Sequence, residues 1–413
     1  MNISILPAME EPLHNLTTTK SAMMNSTTTL KHPLEDFSKH FFKPAGIVSL
    51  AVAIFGVVFN ILNIVVLSQP KMRNAVNLLL TLMAVSELLL LIFYIPFVLI
   101  FNVGFPSDVY NSFHTTNLNS ARFMLFHVDA TIFFHTCTSW LLITTACFRF
   151  IFVQFPLQSA KLCSYNRAII AGVLTIIASL AVSMPNMFVN SIMTATTCGD
   201  NSSTGCEPLY TVAQSSKYAT KDVINFNFWL YASVGKFIPA ILLLVFTIFL
   251  LKVLREAAAR KKRLQNDSAN NSNEHTQTTR MLFAVVVLFF LVECPHGILI
   301  IYMSVSKDYY TYHYLGEVID LVTLLAFSLN LILYSTMSRQ YRMLFLELFI
   351  KKIRAKLRLT RVKAKYSKCS NGTTLTEGYM SETCALSMVN DSHTVHSTMG
   401  SEGSDDHKLV AEK

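Results

Sequence analysis

Charged side chains are scarce in this chain: they make up 14% of its 413 residues, while hydrophobic side chains make up 52%. A soluble globular domain carries about 25% charged residues. The scarcity argues against a soluble protein and favours one that places most of its length in a membrane. Residues 1–40 also lack the apolar core of a signal peptide, so we expect the first span to act as its own insertion signal.

Long apolar segments account for this composition. Each reaches the roughly 20 residues that a helix needs to cross a hydrocarbon core about 30 Å thick. A large soluble helical protein is the alternative, but repeated segments of this length with so few charges disfavour it. We therefore predict an all-α membrane protein, a seven-transmembrane helix bundle whose spans one to seven cover residues 45–68, 76–101, 123–155, 168–188, 226–251, 281–305 and 314–334.

Basic residues gather in alternate connections between these segments. Lys71 and Arg73 follow span one, a basic run at 260–263 follows span five, and a longer one at 351–365 follows span seven. The positive-inside rule places these connections in the cytoplasm and the N-terminus outside, in a multi-pass protein of the plasma membrane. The net charge of +9 belongs mostly to these flanks, so it does not indicate nucleic-acid binding.

Four glycosylation motifs fall where this topology predicts outer segments, whereas those at Asn371 and Asn390 fall in the predicted cytoplasmic tail and should stay unmodified. The acceptor pattern Asn-x-Ser/Thr is common by chance, but it is consistent with the orientation at Asn2, Asn15, Asn25 and Asn201.

The cysteines give one structural prediction. Of eight cysteines, only Cys198 and Cys206 lie on the predicted oxidising side, both between spans four and five. We predict a disulfide between them that closes a small hairpin loop. No His or Cys spacing typical of a metal site is present.

Ionisable residues inside the spans are the strongest functional signal. A charge at bilayer depth costs about 2.5–3.5 kcal/mol on insertion scales, so it is rarely there without a role. Asp129 and Lys236 could each make an interhelical contact or serve function, and both interpretations stay open. The other ionisable residues within spans include Glu87, Arg149, Glu293 and Asp320.

Four short motifs in spans one, two, three and seven resemble those of rhodopsin-like G-protein-coupled receptors. They are Gly56 with Asn60, the stretch MAVSEL at 83–88, FRF at 148–150 and NLILY at 330–334. The resemblance covers roughly residues 45–345 and departs from the family pattern at Glu87, Phe148 and Leu331, which stand for Asp, an acid and Pro. The stretch 121–126 also lacks the cysteine that normally tethers span three to the second outer loop.

Four further stretches narrow the resemblance to particular subfamilies of these receptors. They lie at 228–239, 292–299, 315–321 and 337–342. They are similar to invertebrate myosuppressin, FMRFamide-like and sex-peptide receptors and to the nematode serpentine class W. The resemblance implies an extracellular short amidated peptide as ligand and a heterotrimeric G protein, often of the inhibitory class. The ligand-binding residues that we predict are Asp129, Phe134, Trp229, Glu293, His296, Glu317 and Asp320.

The same resemblance implies a polar switch in the core and a coupling end. The switch residues are Asn60, Glu87, Thr138, Asn330 and Tyr334. Glu87 either holds a sodium ion, as in relatives of the wider family, or is protonated and hydrogen-bonded to its neighbours. No cofactor is expected beyond that ion. Arg149 and Arg280 are the residues expected to couple to the G protein.

The parts outside the bundle complete the predicted organisation. Residues 1–44 form an extracellular glycosylated segment, 45–334 the receptor domain, 335–350 an amphipathic interfacial helix, and 351–413 a basic and then Ser/Thr-rich disordered tail. The hydroxyls of the tail are candidate targets of receptor kinases, which would recruit arrestin.

Other functional classes fit less well. A retinal protein needs a lysine in the middle of span seven, and residues 314–334 contain none. A transporter would show repeated halves, and a membrane enzyme would show His or acidic residues clustered near one interface. The serious alternative is a chemosensory receptor for a small molecule in the same fold.

Overall fold

The computed structural model describes residues 35–104, 114–197, 207–263, 287–288, 290–302, 306, 309–337 and 339–351. The four sequons, Cys198, Cys206, Arg280 and the tail from residue 352 lie outside these residues, so the predictions made for them stay predictions. The side chains of Glu317, Asn330 and Tyr334 also lie outside the described part, although their backbones belong to span seven.

Long helices form the spans. Spans one to four are Glu35–Leu67, Ala75–Phe97, Leu118–Gln154 and Tyr165–Val189. Span two continues as a π-helical turn, Val98–Val103. Span five consists of Lys221–Leu230, a π-helical turn Tyr231–Phe237, and Ile238–Arg263. The described part of span six is Phe290–Tyr302, and span seven is Tyr309–Met337. A short 3₁₀-helix, Pro70–Met72, joins spans one and two, and a short α-helix, Pro156–Leu162, joins spans three and four.

Side-chain caps explain where three of the spans begin. Asn74, Ser164 and Thr220 each accept a hydrogen bond from the backbone N–H three residues later. Such a cap satisfies one of the amide donors that the first helical turn leaves without a partner. Each of these helices therefore starts at a polar residue that precedes an apolar run.

Span three is the centre of the bundle. It is the most buried of the five described helices that are long and apolar enough to cross a membrane, and it contacts spans two, four and five. The described parts of spans six and seven contribute two shorter apolar helices, Phe290–Tyr302 and Val318–Leu329. Functional side chains on span three therefore face several neighbouring spans at once.

Spans one and seven approach each other at a glycine. A Cβ atom on Gly56 would lie 2.5 Å from Ser328 Oγ and 2.9 Å from Leu91 Cδ1, so any other residue would force these two side chains to shift. Asn60 Nδ2 donates to the carbonyls of Gly56 at 3.1 Å and Phe327 at 3.3 Å. The motif predicted in span one therefore holds this span against span seven.

A small antiparallel sheet caps the end of the bundle where span three begins, which we call the sheet end. Its strand order is β1-β3-β2, where β1 is His114–Thr115, β2 is Asn190–Thr197 and β3 is Glu207–Gln214. The all-α prediction missed this sheet, because the connection after span four carries no long alternating pattern. Thr197 pairs with Glu207, the last residue of β2 with the first of β3.

A helix follows span seven at Arg339–Phe345 and continues as a π-helical turn, Leu346–Lys351. Tyr341 is buried, and its hydroxyl donates to Asn63 Oδ1 at 2.7 Å. Burial raises the pKa of Tyr341, which keeps this hydroxyl protonated as a donor. The chain divides into two compact units after Arg342, eight residues beyond the boundary predicted after Tyr334. The placement of residues 335–350 at a membrane interface stays a prediction.

Candidate functional site

A buried ion pair joins spans five and six. Lys236 Nζ lies 3.2 Å from Glu293 Oε2, and each of the two residues is only 1% exposed. Removing two charges from water costs several kcal/mol per ion, and only a close pair with further hydrogen bonds offsets that cost. The pair therefore needs support from its surroundings.

His135 of span three provides part of that support. Its two ring nitrogens lie 3.2 Å and 3.1 Å from Lys236 Nζ, and its Nε2 lies 3.2 Å from Glu293 Oε1. A neutral imidazole has one acceptor nitrogen, to which the ammonium group of Lys236 can donate a hydrogen bond. The contact with Glu293 is close in distance but is not aligned as a hydrogen bond.

Two further polar side chains complete what we call the charged cluster: His135, Lys236, Glu293, His296 and Asp320. The buried His296 ring meets the His135 ring edge to face, with 6.4 Å between centroids. Asp320 of span seven is buried and close enough to interact electrostatically with Lys236. The cluster thus connects spans three, five, six and seven.

The cluster lies deep within the bundle. His135 is 17 residues after the first residue of span three and 14 residues before Arg149, which corresponds to about 25 Å and about 21 Å along a helix. Charges at this depth are costly and mark functional sites in membrane proteins.

The π-helical turn in span five explains why Lys236 faces the interior. A π-helix has a wider turn than an α-helix, so each residue rotates less around the axis. Trp140 Nε1 donates to the Val234 carbonyl at 3.1 Å within this turn. A Cβ on Gly235 would lie 2.9 Å from Tyr231 Cδ2, so the turn packs closely on itself. Single π-turns occur frequently at functional sites.

The same turn separates Trp229 from Lys236 around the helix. In a continuous α-helix, Trp229 and Lys236 would share a face because they are seven residues apart. The π-turn breaks that phase: Lys236 is buried, whereas Trp229 is 56% exposed and packs against Phe228. Trp229 therefore lies on a different face of span five from Lys236, and its predicted ligand contact stays a prediction.

Asp129 also lies apart from the other predicted acids. Its Oδ1 accepts a hydrogen bond from Asn186 Nδ2 at 2.7 Å, and Asn186 Oδ1 accepts from Asn227 Nδ2 at 3.2 Å. This amide chain joins spans three, four and five. Asp129 and His135 are six residues apart, so they point about 120° apart around span three. Asp129 therefore lies on a different face of span three from His135, and its predicted ligand contact stays a prediction.

Phe134 faces span two. Its ring stacks on Phe93 with 6.1 Å between centroids, and its carbonyl accepts a hydrogen bond from Ser86 Oγ at 3.0 Å. This position separates Phe134 from the charged cluster, although the two are neighbours in sequence. Its predicted ligand contact would need a pocket between spans two and three.

Three of the predicted switch residues have described side chains, and all three are buried. Asn60, Glu87 and Thr138 are fully buried, and Asn60 ties span one to span seven. Asn60 Oδ1 and Thr138 Oγ1 make no hydrogen bond within the part of the chain that the structure describes. Such atoms need a partner such as an ordered water or an ion. The sodium site and the protonated Glu87 both stay predictions.

At the opposite end of span three, Arg149 is buried and Phe148 is partly buried. The Cys163 thiol lies 3.5 Å from the Phe148 carbonyl, to which it donates. Burial raises the pKa of the Cys163 thiol, with a smaller contribution from Cys147, and so favours the protonated donor. Phe148 offers no carboxylate to Arg149, as the motif predicted.

A protein family described as serpentine type 7TM GPCR chemoreceptor Srw matches residues 47–352, which is most of the seven-span region. The chain belongs to this family. It is therefore a multi-pass membrane protein and a seven-transmembrane G-protein-coupled receptor, as its motifs predicted.

Two curated relatives agree with the narrower resemblance. The receptor is 24% identical to the FMRFamide receptor of Drosophila melanogaster, across 78% of this chain and 56% of that protein. It is also 24% identical to the G-protein coupled receptor dmsr-1 of Caenorhabditis elegans, across 78% of this chain and 71% of that protein. The chain thus spans little more than half the length of the Drosophila relative.

Sequence reasoning missed two residues of the receptor's charged cluster as site residues. The sequence did mark Lys236 as unusual, since a lysine within a span is costly. The π-turn, however, hid which face of the helix it occupies. His135 had no such mark, because a histidine in a span that also holds His127 has no distinguishing neighbour in sequence. Glu293, His296 and Asp320 were predicted, and the structure brings them together.

Proposed function

We propose that this receptor responds to a short amidated peptide of the FMRFamide or myosuppressin type and passes the signal to a heterotrimeric G protein. The observation that carries this proposal is the burial of two carboxylates, Glu293 and Asp320, in one cluster between spans five, six and seven. Carboxylates form strong, charge-assisted hydrogen bonds with guanidinium groups, and an Arg-Phe-amide peptide carries one. The similarity to an FMRFamide receptor supports the same ligand class.

In this proposal the sheet end faces the outside and the peptide enters there. Arg149, with Arg280, contacts the G protein, which we take to be of the inhibitory class. Receptor kinases and arrestin act on the tail. Ligand binding shifts the bundle between two packings of the same polar residues, which is how a buried site can influence a distant one.

The test is a screen of amidated peptides against cells that express the receptor, with a G-protein readout. We expect Arg-Phe-amide peptides to activate it. Replacing Asp320 by Lys should then reduce potency by more than about tenfold, because like charges repel the guanidinium. Surface expression should fall much less.

Two further variants separate binding from folding in this test. Asp320→Asn removes the charge while keeping the shape, and Asp222→Asn makes the same change at an exposed position near the start of span five. Asp320→Asn should reduce potency and Asp222→Asn should not. Unchanged potency in both Asp320 variants would remove this residue from the site.

A small-molecule chemosensory receptor is the second candidate, favoured by the description of the family as chemoreceptors. The charged cluster offers both signs of charge, which suits a small amine or zwitterion as well. Activation by small amines in the same assay, with no response to any amidated peptide, would support this candidate instead.

A further inference from the structure

Glu293 uses its two carboxylate oxygens unequally. Oε2 accepts a hydrogen bond from Lys236 Nζ at 3.2 Å. Oε1 is buried and makes no hydrogen bond within the described part of the chain, although His135 Nε2 lies 3.2 Å away. A carboxylate can accept from two donors side by side, so Glu293 retains a buried acceptor that its ammonium partner does not use.

Lys236 has other groups nearby that can stabilise its ammonium charge. Its Nζ lies 3.1 Å and 3.2 Å from the ring nitrogens of His135 and 5.8 Å from the centroid of the Tyr231 ring. Asp320 also acts on it electrostatically. A lysine is a point charge on a flexible stem, so it can move between such partners. Lys236 can therefore leave Glu293 and still remain stabilised inside the bundle.

We propose that Lys236 is a tethered competitor, which occupies Glu293 until the guanidinium of a bound ligand replaces its ammonium group. A guanidinium donates two parallel N–H bonds and would use both Oε1 and Oε2, whereas an ammonium reaches one. One cation replaces another at Glu293, and Lys236 turns towards His135 and Asp320. This competition rests on the peptide-receptor function proposed above, and it assigns the peptide's arginine to Glu293.

The exchange also changes how spans five and six are joined. Lys236 lies in the π-turn three residues before Pro239, and Glu293 lies two residues before Pro295. A proline removes a backbone hydrogen bond of its helix, so both helices can bend near the pair. Breaking the pair therefore frees two bendable helices from each other, in the presence of a ligand or without one.

Substitutions at Lys236 test the competition because they predict opposite signs. Lys236→Met removes the competitor, and the potency of an Arg-Phe-amide peptide should rise about tenfold at matched surface density. Lys236→Arg supplies a competitor that itself binds both oxygens, and the potency should fall about tenfold. A merely structural role predicts that both variants weaken the response. That result, or equal potency in all three proteins, would overturn the proposal.

A pair of peptides that differ only in Arg or Lys locates the anchor. Wild type should prefer the Arg peptide, and Lys236→Met should raise the potency of both peptides in parallel without changing the preference. The double variant Lys236→Met/Glu293→Gln should lose the preference. A preference that survives in the double variant would place the arginine elsewhere. Lys252→Met, at an exposed lysine of span five, is the matched control.

Ligand-free signalling keeps this test independent of the ligand. Basal G-protein activation at matched surface density should decrease in the order Lys236→Met, wild type, Lys236→Arg. If no amidated peptide activates wild type, the peptide function fails while this order still supports the Lys236–Glu293 link. Equal basal activity in the three proteins would overturn the link itself.

Discussion

Two carboxylates in this receptor are held by partners of different kinds. Asp129, which is only partly buried, is held by the neutral amide of Asn186 at 2.7 Å. Glu293, which is 1% exposed, is held by the ammonium of Lys236 at 3.2 Å. A partly hydrated carboxylate keeps some of its solvation, so a neutral donor is sufficient. A fully buried one loses all of it and requires an opposite charge.

The difference bears on function. The chain of Asp129, Asn186 and Asn227 satisfies its members and links three spans in one arrangement. In the charged cluster, the ammonium of Lys236 lies 3.1 Å from His135 Nε2 and 3.2 Å from Glu293 Oε2, so it has more than one partner to choose from. A switch requires a bistable element, and the charged cluster has the composition of one.

The largest effect is expected from Glu293→Gln. It removes the nearest carboxylate from the buried charge of Lys236. His135 and Asp320 still stabilise the ammonium, so the free energy of unfolding should fall by about 3 kcal/mol, the lower end for a broken buried pair. Thermal unfolding of the detergent-solubilised receptor measures this loss. The double variant Lys236→Met/Glu293→Leu removes both charges and should recover most of the stability. If Glu293→Gln were as stable as wild type, Glu293 would not be the partner that stabilises the buried charge of Lys236.

A smaller loss is expected from Asn186→Leu. It removes the donor to Asp129 and the acceptor of Asn227 at once, and each polar group left unsatisfied costs about 1–3 kcal/mol if it stays buried. Because Asp129 can regain water, the measured loss should lie towards the lower end. Asn225→Leu changes an exposed residue of span five and serves as the control. Equal effects of the two substitutions would show that the amide chain contributes no stability.

The smallest effect is expected from Asp129→Asn, which is the same type of change as Glu293→Gln. The new amide oxygen can still accept from Asn186, so the free energy of unfolding should change by less than about 1 kcal/mol. Thermal unfolding alongside Glu293→Gln provides the comparison. A loss as large as that of Glu293→Gln would mean that Asp129 has a charged partner, contrary to the contrast between the two sites.

Much of the architecture could be predicted from the sequence. The membrane spans could be predicted from the length and composition of the apolar segments, and the family from short local motifs. The family match agrees with both predictions. The site was harder. Trp229 lies on a different face from Lys236 because a π-turn changes the helix phase, and no local pattern reveals a π-turn. The partners of Asp129 lie on spans four and five, and the spacing of residues along span three cannot reveal them.

The sequence by itself determined that this protein is a membrane bundle with costly ionisable groups inside it, because insertion energy depends on the composition of each segment alone. Only the tertiary structure decided which of these groups meet. The choice of Lys236 for Glu293, and of Asn186 for Asp129, depends on the rotation of each helix about its axis. That rotation is set by packing between helices distant in sequence, and at Lys236 by a single π-turn.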